Sequence, residues 1–449
     1  MIDSMRAAMA LPDLRRRILF TIGMLVIYRL VANIPVPGVD LDAWLAFVES
    51  GSSGSGLIEV LNLLSGGAVS NFSVMALGVY PYITASIILN LLQPIIPHLE
   101  ELAAEGESGR NKINRYTYIM TIPLAFLQAV GQIRLIGFGI PGGIETIMPN
   151  FGLEAGALIP TMTTLLSMTA GTMFAIWLGE QITEDGIGQG ISLIIFGGIV
   201  ARIPANLIGL VSLPDQVARI FTIVSFIVIT VLTVLVIVVI QEGQRRIPVQ
   251  YGRRVRGRKV YQGQSTYIPL KVNTAGMIPI IFAQSILTFP ALLAQFFINE
   301  SGSFVDNSAQ WVSIQFGNQS TFLYWFVYFI LVVGFTFFYT DVMVQQQRLA
   351  ETLQRQGGFI PGIRPGKRTN DYIMAVVRRI TLVGALFLGI IAIMPGILQF
   401  VGQILRIPGI EQSALVITGA GLIIVVGVVI DTMRQLEAQL LMRHYESFI

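Results

Sequence analysis

Ten stretches of this chain are long and continuously apolar: roughly 18–34, 72–97, 116–138, 154–179, 187–210, 219–241, 272–298, 321–344, 380–405 and 412–431. Runs of ~18 or more match the thickness of a bilayer and exceed an ordinary core helix. Lipid cannot satisfy free backbone N–H and C=O groups, so each run is expected to be helical. The expected fold class is an all-α polytopic membrane protein with ten transmembrane helices. Composition agrees, with 53% hydrophobic and 12% charged residues, against ~25% charged in soluble domains. A soluble enzyme, a disulfide scaffold and a disordered chain are excluded. Cysteine is absent, which removes disulfides, thiolate metal sites and cysteine nucleophiles. The first run follows Arg15-Arg16-Arg17 but ends in Ala32-Asn33-Ile34-Pro35, which offers no small-residue cleavage site. It therefore reads as a retained span.

An even number of spans puts both ends on one side. Segments 1–17, 98–115, 242–271, 345–379 and the last tail hold 24 of the 29 Lys and Arg. The positive-inside rule makes that side, and both termini, cytoplasmic. The remaining five, Arg29, Arg134, Arg202, Arg219 and Arg406, lie at or near the other face. The short connector 180–186 breaks the trend, being acidic with no basic residue.

Two apolar words recur in order. Gly78-Val79-Tyr80-Pro81-Tyr82-Ile83-Thr84-Ala85-Ser86-Ile87-Ile88-Leu89 and Gly276-Met277-Ile278-Pro279-Ile280-Ile281-Phe282-Ala283-Gln284-Ser285-Ile286-Leu287 share G-x-x-P-x-I-x-A-x-x-I-L. Gly190 to Gly198 and Gly419 to Gly427 share G-x-x-L-I-I-x-x-G. They fall on the second and fifth spans of each five-span half. An odd number of spans per half makes the second copy inverted, with a pathway expected where the halves meet. The expected halves are 1–210 and 211–449. Gly and Pro at matched places mark irregular helices there; a Pro kink without function is the plainer alternative.

The span middles hold almost no ionisable residues, which counts against a proton- or sodium-coupled carrier. Gly51-Ser52-Ser53-Gly54 and Gly106-Glu107-Ser108-Gly109 resemble short protease words, but both are expected in loops, and His98 and His444 lie outside the spans. Gly186-Ile187-Gly188-Gln189-Gly190 lacks the strand and Lys of a phosphate loop and reads as a flexible start to span five. No catalytic group, metal site or cofactor emerges. What recurs instead is aliphatic: Ile83 with Ile281, and Ile195 with Ile424. Each alone reads as lipid- or helix-facing; together they would make a constriction that excludes ions by dewetting.

Segment 50–56 is a Gly/Ser linker by composition. The stretch Leu57 to Asn71 after it is too short to span, leaving an interfacial helix or a re-entrant segment buried in protein. Segment 242–271 contains apolar runs around Val249 and Ile268 that suit a hairpin with Arg253, Arg254, Arg256, Arg258 and Lys259 at its tip. Gly/Pro turns in segment 345–379 would hold out Arg364 and Lys367. Such loops can simply set topology and attract anionic lipid, or they can form a partner surface, including one for RNA phosphate. A secondary carrier and a non-conducting ribosome receptor remain open on these residues.

Longer words add a resemblance. Leu63-Leu64-Ser65-Gly66-Gly67-Ala68 through Ile88, Gly106 to Arg110, Gly179 to Gly188, Gln262 to Pro279, Gly358 to Gly366 and Arg443-His444-Tyr445-Glu446 together resemble the SecY family, over essentially the whole chain. The resemblance implies two five-helix halves around a pore that passes unfolded secretory proteins and releases apolar segments sideways. It implies a pore ring of Val79, Ile83, Ile191, Ile195, Ile281 and Ile424. It implies a plug at about 57–71, with Leu57, Leu61, Leu64, Gly66 and Gly67. It implies a lateral gate with Ser86, Asn90, Gln128, Ser285 and Phe289. It implies that the loops bearing Arg253, Arg254, Arg256, Arg258 and Arg364 dock the ribosome and the SecA motor, and that SecE and SecG are small membrane partners. Signal sequences and nascent polypeptides would be its substrates. A bacterial plasma membrane is expected, since no transit peptide precedes Arg6.

Overall fold

The computed structural model describes residues 9, 11–49, 65–93, 95–138, 143–152, 154, 156–211, 216–251, 254–256, 259–261, 265–294, 297–298, 304–317, 321–346, 349–405 and 420–446. Each apolar run contains helix within these residues. The first half of the chain supplies α1 (Pro12–Val31), α2 (Leu41–Glu49), α3 (Tyr80–Leu92), α4 (Pro97–Ala104), α5 (Glu107–Phe138), α6 (Leu158–Asp185) and α7 (Gly190–Val211). α8 (Gln216–Glu242) leads into strands β1 (Gln244–Tyr251), β2 (Arg254–Arg256), β3 (Lys259–Tyr261) and β4 (Ser265–Lys271). Then come α9 (Ile278–Ala294), α10 (Phe304–Gly317), α11 (Phe322–Gln346), α12 (Leu349–Arg355), β5 (Gly358–Phe359), α13 (Lys367–Ala392), α14 (Met394–Leu405) and α15 (Ala420–Glu446). Among the described residues, five helices are long and apolar enough to cross a membrane. The pair Tyr80–Leu92 and Pro97–Ala103, bent by 103°, makes a sixth if it is one span.

Several expectations need correction. The second run is not one straight helix. Residues 74–79 form turns, helix begins only at Tyr80, and the chain bends after Leu92. Pro81 is therefore no mid-span kink: it sits in the first turn, where its missing N–H costs nothing. The ninth run is interrupted at Ile393, between α13 and α14. The acidic connector 180–185 continues α6. Ser108 of the protease-like word lies in the first turn of α5, not in a loop, while the word at 51–54 lies outside the described residues. The Gly186–Gly190 turn is pinned rather than loose. The Ile187 N–H donates to Thr21 Oγ1 at 3.1 Å, that of Gly188 to Gln435 Oε1 at 3.0 Å, and that of Gly190 to Thr183 Oγ1 at 2.9 Å.

One large apolar cluster runs through the bundle and draws on α1, α3, α5–α9, α11, α13 and α15. The outward faces are also apolar. On α8, Ile220, Val224, Ile227, Val228, Val231, Leu232, Leu235 and Val239 are all exposed. A helix apolar on every side belongs in lipid, and an exposed apolar face of this extent marks a membrane surface. Hydroxyls inside the bundle bond back one turn, as when Thr84 Oγ1 donates to the Tyr80 carbonyl at 3.1 Å and Thr121 Oγ1 to that of Thr117 at 2.7 Å.

The two basic loops join into one module. β1 pairs antiparallel with β4, Ile247 opposite Ile268 and Val249 opposite Thr266, so the expected hairpin forms. β5, from the other loop, adds to the free edge of β1, with Gln250 opposite Phe359. The sheet order is β4-β1-β5. Ile247, Val249, Leu270, Leu353, Ile360, Ile373 and Val377 form its separate core. β2 and β3 make the hairpin tip, with Arg254 opposite Tyr261 and Arg256 opposite Lys259.

Candidate functional site

The repeated words sit at matched places. Gly78 and Gly276 both take positive φ, +53° and +66°, which glycine adopts without a Cβ penalty. Helix starts two residues later in each case, and Ile83 and Ile281 are each the fourth residue of their helices. Val79, Ile83, Ile195, Ile281 and Ile424 are all buried in the main apolar cluster, at 7% exposure or less. Ile191 is half-buried and packs against that cluster. Among the described residues Asp306, on α10 outside the expected spans, is the only buried acidic or basic side chain.

α3 packs on α9, and α5 also touches α9. The contact between α3 and α9 carries a hydrogen bond: Tyr80 Oη donates to the Ser285 carbonyl at 3.1 Å. Gln128 Nε2 on α5 donates to Thr84 Oγ1 at 3.3 Å, and Gln284 Nε2 on α9 to Tyr324 Oη on α11 at 3.0 Å. Asn90 bonds Ser86 within α3 at 3.4 Å. Phe289 is half-buried. Gln128 Oε1 and Ser285 Oγ are buried without a hydrogen-bond partner. A buried unpaired polar group costs about 1–3 kcal/mol, so this seam is held less firmly than an apolar contact of the same area.

Leu57, Leu61 and Leu64 lie outside the described residues. Gly66 and Gly67 are buried, which favours a re-entrant segment over an interfacial helix for this part of the stretch. Three donors hold its carbonyls. Tyr28 Oη donates to that of Ser65 at 2.8 Å, Arg29 Nη1 to that of Gly66 at 2.7 Å, and Trp44 Nε1 to that of Ser70 at 2.8 Å. Gly66 lies directly against Gly198 of α7: a Cβ added to Gly198 would stand 2.0 Å from the Gly66 Cα. Sequence reading missed Tyr28, Trp44 and the role of Gly198. One signal was present, since Arg29 is a cation inside an apolar run and such a charge needs a partner.

On the basic module, Arg364 and Lys367 are exposed. The Arg364 carbonyl accepts Thr369 Oγ1 at 2.9 Å, which fixes the turn before α13. Arg254 and Arg256 lie on strand β2; Arg253 and Arg258 lie outside the described residues.

A family model for SecY matches residues 73–433. The protein translocase subunit SecY of Streptomyces scabiei is 40% identical, with 100% of both chains covered. That of Halalkalibacterium halodurans is 44% identical over 97% of each chain, and that of Thermus thermophilus 42% identical over 100% of this chain and 98% of its own. A solved protein-conducting channel superposes with a TM-score of 0.60 at 17% identity, covering 94% of this chain and 92% of that one. Sec61 in a canine ribosome–channel complex from the endoplasmic reticulum gives 0.59 at 18%, with the same coverage. End-to-end kinship at this level, on a bundle of apolar helices, places the chain in the SecY family of multi-pass membrane proteins.

Proposed function

We propose that the chain is the protein-conducting channel of a general secretory pathway, with halves 1–210 and 211–449 that part to open a central pore and a side gate. The observation that carries this reading is that Val79, Ile83, Ile195, Ile281 and Ile424, from repeat-related places, are all buried in the main apolar cluster, which we read as the apolar waist of a pore. Such a ring seals against ions because water leaves an apolar constriction. It offers no fixed polar partner, so chains of any sequence can pass. Ile191 completes the ring. The stretch at 57–71, with Leu57, Leu61, Leu64, Gly66 and Gly67, is the plug.

The gate lies between α3 and α5 on one side and α9 and α11 on the other, with Ser86, Asn90, Gln128, Ser285 and Phe289 at its seam. A segment in the open gate samples lipid. Leu-like residues gain roughly 0.3–0.6 kcal/mol each at the membrane centre, whereas an Arg costs roughly 2.5 or more. A run of ~20 apolar residues leaves sideways and a polar stretch crosses. A signal sequence acts by preferring the open state, since a ligand shifts an equilibrium only through differential affinity.

The chain carries out no covalent chemistry in this reading, and a partner supplies the energy. The basic module, with Arg253, Arg254, Arg256, Arg258 and Arg364, docks the ribosome and a SecA-type motor. SecE and SecG are small membrane partners, anionic lipid meets the basic loops, and the setting is a bacterial plasma membrane with both termini cytoplasmic. Arg364→Glu should weaken motor- and ribosome-driven transport alike while leaving expression intact; undiminished transport by both routes would remove Arg364 from the docking surface.

The decisive experiment places photoreactive residues at Ile83 and Ile281 and stalls a secretory chain in mid-transit. Both probes should capture it. Capture of lipid alone would end the channel reading. A secondary carrier is the second reading, disfavoured by the lack of buried charge in the described spans; saturable uptake of a small solute by the purified chain would revive it.

A further inference from the structure

The internal repeat relates the plug seat to a second place, and there the two halves differ. In the first half, Gly198 receives the backbone of Gly66, and Tyr28 and Arg29 hold the carbonyls of Ser65 and Gly66. In the second half the repeated word puts Gly427 where Gly198 stands. Among the described residues, no backbone presses on Gly427. A Cβ there would meet Gln241 Nε2 at 3.3 Å and Met277 Sδ at 3.7 Å, both ends of flexible side chains. A cavity of about 160 Å³ opens beside it, lined by Gln189, Gln241, Asn273, Gly276, Gly427 and Arg434 among others. That is comparable with the ~150 Å³ engineered cavity that admits benzene, but this one has polar walls. A Cβ built on Gly276 would have nothing within 4 Å.

The chemistry of the walls names the ligand class. Asn273 is 5% exposed; its Nδ2 donates to the Gly276 carbonyl at 3.0 Å, and its Oδ1 has no partner. Gln241 is 8% exposed and Gln189 is exposed. Carboxamides offer one acceptor and two donor hydrogens each, the same vocabulary as a peptide group. Charges of both signs, Lys271, Asp431 and Arg434, stand among the lining residues, so no single sign of ligand is favoured. The cavity lies on the side of the basic loops. Met277 and Gly427, which line it, lie four and three residues from the waist residues Ile281 and Ile424.

We infer that this cavity is a binding site for the backbone of the incoming polypeptide, which it holds extended just before the waist, as the seat at Gly198 holds the chain's own plug. The inference rests on the channel reading. Backbone recognition through carboxamides and a bare glycine ignores side chains, as a conduit for many sequences requires.

The test uses the full chain in its membrane complex with a stalled secretory polypeptide, and photoreactive residues at Thr274, which lines the cavity, and at Ile281. Both probes should capture the same polypeptide, the Thr274 probe at a segment that has yet to pass the waist. Capture at Ile281 without capture at Thr274, or capture at Thr274 of only a motor or small subunit, overturns the inference while the channel reading stands. Failure at Ile281 as well removes both. Filling the cavity with Gly427→Leu, or deleting its orphan acceptor with Asn273→Leu, should slow translocation by about fivefold, the scale of one net hydrogen bond. Resting ion tightness should not change. Normal rates in both leucine variants would also overturn the inference.

Discussion

Gly198→Val should give a channel that is made and inserted normally but leaks ions at rest and accepts secretory proteins with poor signal sequences. Even a single Cβ at Gly198 falls 2.0 Å from the Gly66 Cα, and backbone cannot yield as a flexible side chain can. Valine adds two more carbons on that side. Overpacking of this kind costs about 1–3 kcal/mol, which shifts the ratio of seated to unseated plug by roughly five- to 150-fold. The bonds from Tyr28 and Arg29 to the same segment would be lost with the seat, since both reach carbonyls within one residue of the clash. Gly23→Val on α1 is the control, because a Cβ there meets nothing within 4 Å. Conductance across planar bilayers and export of a reporter with a defective signal are the measurements. A Gly198→Val channel as tight and as selective as the control would separate this contact from the seal.

Cysteines at Tyr80 and Ser285, joined by a short bifunctional thiol reagent, should stop secretion completely, and each single cysteine treated alike should not. Tyr80 Oη reaches the Ser285 carbonyl at 3.1 Å across the α3–α9 contact, so the two positions face each other. A covalent tie there leaves the waist residues in place and removes only the freedom of the halves to part. The native chain has no cysteine to confuse the result. Uncrosslinked double variants should transport more readily than the parent, because the substitution removes the Tyr80 hydrogen bond while Gln128 Oε1 still leaves the seam under-satisfied. Efficient bridging with undiminished secretion would move the gate elsewhere. Tyr80 itself was not among the gate residues expected from the sequence; the reach of its hydroxyl to Ser285 is seen only in three dimensions.

The long apolar runs determined helices, because in lipid no other local structure satisfies the backbone, and the two repeated words located Ile83, Ile281, Ile195 and Ile424 before any fold was known. The hairpin around Val249 and Ile268 was legible for a similar reason, since alternation and turn residues are local signals. Helix starts were less so: Tyr80, rather than residue 72, begins α3, because turns tied to the end of α1 occupy the residues before it. The Val36 N–H donates to the Phe72 carbonyl and the Val74 N–H to that of Ile34, each at 3.0 Å. The Gly186–Gly190 turn looked loose by composition and is pinned by Thr21 and Gln435, residues 166 and 247 positions away. What sequence alone determined were the properties set by a residue and its near neighbours: membrane class, helical state, charge asymmetry and the aliphatic repeat. Tertiary structure decided which surfaces meet: the seat of Gly66 on Gly198, the bond from Tyr80 to Ser285, the edge pairing of β5 with β1, and the cavity beside Gly427. Each depends on close approach between segments far apart in the chain, and composition and periodicity carry no record of such distances.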